Sequence, residues 1–497
     1  MNQIRNTLLA FALILILQVG LLGQRAINAG LNEIINTAIS ESPSQLLAKT
    51  RLSNEYWQYV GFKSTFKPQL SFNAILPSLS RSIDAIPLPD GSEAFVNRSF
   101  MRNDVGIQLS QVVPQTGGRV FVSSGLNRLD LFRTTSQNYS RSYLTNAISI
   151  GFNQPIFQFN QWGWMRKIND IEYAQSKQRY IEETEEIIYD ATNLYFDLYI
   201  SKLDLSQANR NKAYLDSLSE IADGRFVVGR ISETDMLQIR LSAKNANAEL
   251  NRIELEVQNK NEELRNFLGI TEEVRFELND PQNIPDYTIE IEKALEEAER
   301  NRTRTADFRL RLLRAEMDLD ETEKSSGINL SLNGSFGLSQ SGNNVGDAYR
   351  DLLDQESITL SVNIPIADWG RRKAQREIAR SNLELEQLQV EQDRISFQRE
   401  IIVNVEQFDL KRRQLELAKE SFDIGTARLN IAKNRYNIGK IDVTNLNIAI
   451  QEHESARQRY YAALWTLRRA HHEIRLLTLY DFVLDRTITV DTGRSNF

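Results

Sequence analysis

The chain of 497 residues contains no cysteine. That excludes disulfide staples, thiolate metal sites, cysteine nucleophiles and a lipid-modified N-terminal cysteine. Histidine is almost as scarce: His453, His471 and His472 are the only three. They fall on a charged helical stretch with no acidic or thiol companions at ligand spacing, so a surface role is expected and no metal site. An excess of positive charge is also missing, since 59 Lys and Arg face 66 Asp and Glu for a net charge of −7. A nucleic-acid binder needs a basic footprint, and none is expected here. Beyond the N-terminus no stretch reaches the ~18 apolar residues of a membrane-spanning helix, which excludes an inner-membrane helical transporter. No glycine-rich phosphate loop follows a strand and no catalytic constellation is present, so neither an enzyme nor a cofactor is expected. Proline is both rare and uneven. All ten lie within 43–155 and 281–365, leaving 156–280 and 366–497 without any. Proline-free runs of that length point to very long helices.

The first segment has the signature of an export signal. Arg5 precedes an apolar run from Leu8 to Leu17, extended by Val19–Leu22, and charge returns at Arg25. Residues 1–23 therefore read as a signal peptide with cleavage between 23 and 26, after Gly23 or Ala26; a retained anchor is the alternative.

The remainder is two copies of one plan. Residues 225–237 read RFVVGRISETDML and residues 435–447 read RYNIGKIDVTNLN, an offset of 210. Gln154-Pro155-Ile156 and Ile364-Pro365-Ile366 keep the same offset, 365 − 155 = 210. Upstream, Gln69-Leu70-Ser71 matches Asn329-Leu330-Ser331 at 329 − 69 = 260, so the first copy carries about 50 extra residues. Repeat one spans 27–269, with helix 31–61, strands 69–76 and 146–155, an inserted hairpin in 77–143, and helices 163–222 and 231–268. An equatorial connector, 270–288, leads to repeat two at 289–479. That repeat has helix 289–325, strands 329–339 and 357–365, and helices 370–434 and 441–479; a tail, 480–497, follows. Sixty helical residues make a rod of ~90 Å. Ile187, Ile188, Ala191, Leu194 and Leu198, and the seven-residue repeat Leu388, Ile395 and Ile402 with Leu385 and Val405, are the expected packing stripes.

The strands alternate apolar with small polar residues. Ile358, Leu360, Val362 and Ile364 alternate with Ser357, Thr359, Ser361 and Asn363; Ile148, Ile150 and Phe152 alternate with Ser149, Gly151 and Asn153. Such strands suit a soluble sheet or an outer-membrane wall. Export, the missing apolar helix and the aromatics Phe157, Phe159, Trp162, Trp164 and Trp369 beside the strand ends favour the wall. Pro155 and Pro365, at the strand-to-helix junctions, lack an N–H and are expected to end pairing and turn the chain into its helix. Four strands cannot close a barrel, so the chain is expected to oligomerise.

The ordered pair of strand-Pro-Ile segments, the long helices, and the paired Arg-Phe/Tyr-x-x-Gly turns resemble the outer-membrane efflux protein family, the TolC-like channel-tunnels. Ser42-Pro43 and Lys67-Pro68-Gln69-Leu70-Ser71 near the start resemble it too. The resemblance implies a mainly α protein with membrane β structure, in which a homotrimer forms a twelve-stranded β-barrel in the outer membrane, continued by a periplasmic α-helical tunnel. It also implies a periplasmic adaptor and an inner-membrane pump, proton-driven or ATP-driven, as partners, and outer-membrane lipid around the barrel. By the same resemblance the periplasmic tip, gate and adaptor contact comprise Arg225, Phe226, Gly229 and Asp235 in copy one and Arg435, Tyr436, Gly439, Lys440, Asp442 and Asn445 in copy two. Asp235 matches the acidic partner of the gate and Tyr436 its aromatic partner. The sequence departs from the family at Ile441, where a basic residue can stand, and at Asn445, where an acidic one can; Lys440 and Asp442 are candidate substitutes. The inserted segment 77–143 is expected as a hairpin forming an extracellular extension, with added barrel strands as the alternative. The function expected is the outer-membrane exit duct of a tripartite efflux system, passively conducting small molecules. Type I protein secretion is the alternative, and a periplasmic coiled-coil scaffold or adaptor is the alternative of another class.

Overall fold

A computed structural model describes residues 25–87, 89, 91–133, 138–279 and 287–490. The expected signal segment lies outside the described residues, as do 280–286 of the connector and 491–497 of the tail. In chain order the elements are β1 (Arg25–Ala29), α1 (Leu31–Glu41), α2 (Pro43–Ser64), β2 (Gln69–Pro87), β3 (Glu93–Val113), β4 (Gly118–Leu131) and β5 (Ser140–Ile156). There follow α3 (Gln161–Val227), α4 (Glu233–Phe267), β6 (Val274–Leu278), α5 (Ile291–Asn301), α6 (Thr303–Ser325), β7 (Asn329–Gly342) and α7 (Val345–Ala348). The last are β8 (Leu353–Asn363), α8 (Arg371–Asn437), α9 (Val443–Thr478), β9 (Tyr480–Asp481) and β10 (Arg486–Thr487). The duplication is visible in the long helices: α3 and α8 each have 67 residues, and both ends are 210 apart, 371 − 161 and 437 − 227.

Two compact units divide the chain. The helical unit takes the residues up to Ser53, Ser176–Thr305 and those from Arg394 on. Its first core joins β1, α1, the middle of α3, the end of α4 and β6, with Ala38, Tyr195, Leu198, Leu264 and Phe276 all at 1% exposure or less. β1 pairs in parallel with β6, and Asn261 ties α4 to β6 through Val274 O (2.7 Å) and Phe276 N (3.0 Å). The segment expected as an equatorial connector thus contains a core strand. A second core joins the facing ends of α3, α4, α8 and α9 through Leu218, Ile239, Tyr436 and Leu446.

Three expectations about the helices need correction. The helices read as 31–61 and 289–325 are each broken. The first break lies at Ser42, whose hydroxyl accepts from Gln45 N at 3.2 Å while Pro43 opens α2 with its pre-set φ. The second has no proline. Arg302 is extended (φ −79°, ψ 141°), and Glu182 of α3 accepts from Thr303 N (2.9 Å) and Oγ1 (2.7 Å), so a long-range carboxylate caps α6. The three histidines are buried, not on the surface; the ring Nδ1 of His471 meets the hydroxyl of Tyr287 at 2.6 Å. The stripe on α8 holds only in part: Val405 is buried with Phe397, Ile401 and Phe408, whereas Leu385, Leu388 and Ile395 are 52%, 65% and 58% exposed. A seven-residue period marks an apolar face but not which neighbour covers it.

The other unit takes Asn54–Gln175 and Ala306–Asp393. Its centre is one antiparallel sheet in the order β2-β3-β4-β5-β7-β8. Six strands replace the expected four, because the inserted hairpin β3–β4 pairs within the sheet and does not form an extension apart from it. β3 pairs with β2 from Gln69↔Ser110 outward, and β4 pairs with β5 from Arg119↔Asn153. The turn joining β3 to β4 lies at the strand-to-helix junction: Asn160 donates to Pro114 O (2.8 Å), and Gln154 donates to Thr116 O (3.1 Å). The tip of the β2–β3 ribbon, beyond the last β3–β4 pair Phe100↔Leu131, runs past β4.

Candidate functional site: the helical tips and the two-faced sheet

Both long helices end in the same hydrogen-bonded turn. In copy one, Gly229 N donates to Phe226 O (2.9 Å) and Arg230 N to Arg225 O (2.8 Å). In copy two, Gly439 N donates to Tyr436 O (2.9 Å) and Lys440 N to Arg435 O (2.8 Å). These are Schellman caps, which satisfy carbonyls left open by the helix and put the residue after the C-cap in the left-handed region. Gly229 and Gly439 sit there at φ +70° and +71°.

The following helices start alike but with the acid moved by three positions. Ser232 caps α4, accepting from Asp235 N (3.1 Å) and donating to its carboxylate (2.8 Å). Asp442 caps α9, accepting from Asn445 N (2.8 Å) and Nδ2 (2.9 Å). Ile441 and Asn445, where the sequence departs from the resembled pattern, thus frame a cap in which Asp442 carries the charge.

Arg225, Asp235, Tyr436, Gly439 and Asp442 line one cleft of about 450 Å³, together with Arg230, Ile231, Ile441 and Val443. The Arg225 guanidinium lies 6.0 Å from the Tyr436 ring and donates to Asn437 O at 3.4 Å. Phe226 and Tyr436 are equivalent in the repeat, yet Phe226 is 38% exposed and Tyr436 only 7%. Burial pushes the Tyr436 hydroxyl above its ordinary value; the Arg225 charge pulls it down and the Asp235 charge pushes it up. Phe226, Arg435, Lys440 and Asn445 do not line the cleft. Residue reading overlooked Ser232, although the Ser-x-x-Asp spacing is a capping signal, and Asn437, which takes part through its carbonyl and carries no side-chain signal at all.

The sheet presents two unlike faces. Leu70, Leu109, Val122, Ile150 and Phe336 align across five strands on one side, with exposures from 36% to 72%. On the other side Ser71, Gln108, Ser123, Ser149, Gly337 and Gln355 align across all six. No helix among the described residues is long and apolar enough to cross a membrane. The junction prolines behave unequally. Pro155 is still paired with Ser331 inside β5, and Pro365 follows the end of β8. The left-handed residues Phe157 (φ 58°) and Trp369 (φ 56°) come next, 74% and 98% exposed.

The sequence profile of the family described as "Outer membrane efflux protein" matches residues 89–270 and 292–478. The chain belongs to the outer membrane efflux protein family. It is thus an outer-membrane efflux channel protein, with a helical tunnel part reaching into the periplasm and a β domain, and its family is one of channels, not of enzymes. Solved structures agree in fold. The CmeC outer membrane channel of Campylobacter jejuni is 16% identical, with 93% of this chain and 88% of that one covered and a TM-score of 0.66. The outer membrane protein VceC of Vibrio cholerae is 14% identical, covering 92% and 97% at a TM-score of 0.64. The open-state MtrE channel of Neisseria gonorrhoeae is 14% identical, covering 93% and 91% at 0.62. No curated protein sequence matches the chain.

Proposed function

We propose that this efflux protein is the passive exit duct of a tripartite system, taking small molecules from a periplasmic adaptor and an inner-membrane pump to the exterior. The observation that carries the reading is the sheet with an exposed apolar face and a small, polar opposite face, in a chain without a spanning helix among the described residues. In lipid, a sheet survives only without free edges. β2 and β8 are free edges in the single chain, so three copies close the wall. The driving force in this reading comes from the partner pump.

The tips of α3 and α8 are the gate and the adaptor contact in this reading. Arg225, Asp235, Tyr436 and Asp442 hold the closed arrangement, Gly229 and Gly439 set the turns, and Phe226, Arg435, Lys440 and Asn445 stand outside the cleft for a partner. Purified chain reconstituted in planar bilayers tests the duct. Detergent-dependent extraction, a trimer and discrete ion currents are expected; recovery as a soluble monomer without current would end the reading.

A further inference from the structure

The inserted hairpin has no counterpart in the second repeat, and its chemistry is that of the membrane wall. On β3, Ile107 and Leu109 are 51% and 41% exposed; on β4, Val120 and Val122 are 45% and 36% exposed. They continue the apolar face from Leu70 on β2 to Ile150 on β5. Their neighbours Gln108 and Ser123 continue the polar face between Ser71 and Ser149. A hairpin standing outside the membrane would have no reason to keep both patterns in register with the strands on either side.

The row that starts at Leu70 ends at Glu356 on β8, whereas Ile358, Leu360 and Val362 lie further toward the C-terminal end of that strand. A level apolar band therefore crosses the six strands obliquely, as tilted strands in a barrel require. Every residue of β8 is exposed, which marks an open edge. With five antiparallel pairings, β2 and β8 run in opposite directions, so β8 of one copy continues the alternation when set beside β2 of the next.

We infer that the outer-membrane part of this duct is an eighteen-stranded barrel, six strands from each of three copies, in place of the twelve that the family resemblance implies, and that it admits bulkier hydrated solutes. This rests on the trimeric duct reading above. Strands ~4.8 Å apart and tilted ~40° close a wall about 36 Å across for eighteen strands, against about 24 Å for twelve. Side chains take roughly 5 Å from each wall, half the spacing of packed sheets, which leaves about 26 Å against about 14 Å. Small residues on the inner face, the serines Ser71, Ser123 and Ser149 and the side-chain-free Gly337 among them, keep that width open to water.

The absence of native cysteine makes a direct test available. Three full-length double variants are expressed and oxidised in outer-membrane vesicles: Leu70→Cys with Leu109→Cys, Val122→Cys with Ile150→Cys, and Leu70→Cys with Ile150→Cys. Loss of maleimide labelling reports cross-linking. The first two pairs are directly opposite in the sheet, while Leu70 and Ile150 are three strand spacings apart, about 14 Å and beyond the ~7 Å reach of a disulfide. Protection of the first two pairs with free thiols in the third is expected. Cross-linking of Leu70→Cys with Ile150→Cys would place the hairpin outside the wall and overturn the inference. The second arm adds a poly(ethylene glycol) of about 20 Å hydrodynamic diameter to the external side of single channels, a size between the two calculated openings. Entry, seen as reduced current, is expected; full exclusion contradicts the wide mouth. A chain found in the soluble periplasmic fraction defeats the duct reading itself. A membrane-embedded trimer with the β2–β5 cross-link defeats only the strand count.

Discussion

Arg225 and Tyr436 join the two repeats at their tips: the guanidinium stands 6.0 Å from the phenol ring. It also donates to the carbonyl next along the chain, Asn437 O, at 3.4 Å. The repeat-equivalent pair, Arg435 and Phe226, remains outside the cleft. A twofold plan thus becomes asymmetric at the point where the proposed gate closes, because only Tyr436 is packed into the shared core of α3, α4, α8 and α9.

That asymmetry sets the first prediction. Asp235→Ala combined with Tyr436→Phe removes a charge and a buried hydroxyl from the cleft. One or two kcal/mol taken from the closed arrangement raises the open population about 5–30-fold. Single-channel recordings in planar bilayers should show that rise, and the combination Phe226→Leu with Arg435→Ala should not. Unchanged closed-state current in the first variant would remove these two residues from the gate.

The turns give a second. No atom lies within 4 Å of a Cβ added at Gly229 or Gly439, so Gly229→Ala and Gly439→Ala meet no clash and pay only for the left-handed backbone. About 1–2 kcal/mol each is expected, and Asn at either position should cost less. Limited proteolysis of the tips and thermal unfolding of the detergent-solubilised trimer report this order. Equal costs for Ala and Asn would contradict it.

A third concerns acid. Burial holds His471 down to about 4 and His472 well below its ordinary value; Arg475 and Arg468 add to both, His471 acts on His472, and Asp481 opposes at His471. The unfolded chain binds protons near 6.5 and the folded chain does not, so stability is full above about 6.5 and falls as pH drops toward 4. The slope is about 1.4 kcal/mol per pH unit for each histidine. Unfolding of the detergent-solubilised protein between pH 7.5 and pH 4.5 should follow it, and His471→Asn with His472→Asn should flatten it. An equal slope in that double variant would place the acid sensitivity elsewhere.

The fourth is the processing site. β1 pairs Arg25↔Val274 and Ala26↔Arg275, and cleavage after Ala26 would remove both. Cleavage after Gly23 keeps the strand whole, so the purified protein should start at Gln24. Intact-mass measurement decides; a chain starting at Ile27 contradicts the expectation.

Much of this was open to reading residue by residue. Alternation of Ile358, Leu360 and Val362 with Ser357, Thr359 and Ser361 names a strand with two unlike faces, because successive side chains point oppositely whatever surrounds them. Gly229 and Gly439, placed after long proline-free runs, name the turns, because only glycine enters the left-handed region freely. The 210-residue offset revealed the duplication without any structure. These are properties of the local chain.

Tertiary structure alone settled what depends on distant partners. The inserted segment 77–143 reads as a hairpin from its own pattern, yet the place of β3 and β4 inside the sheet follows from pairing with β2 and β5 and from Asn160 holding the turn at Pro114. The break between α5 and α6 comes from Glu182, more than a hundred residues away. His453, His471 and His472 look solvated among charged neighbours in sequence and are buried in the folded chain, with Phe422 beside His453 and Tyr287 against His471. Short-range periodicity decides which groups one element shows on each face. Which other element then covers that face is a long-range contest of packing and hydrogen bonding, and only the folded chain decides it.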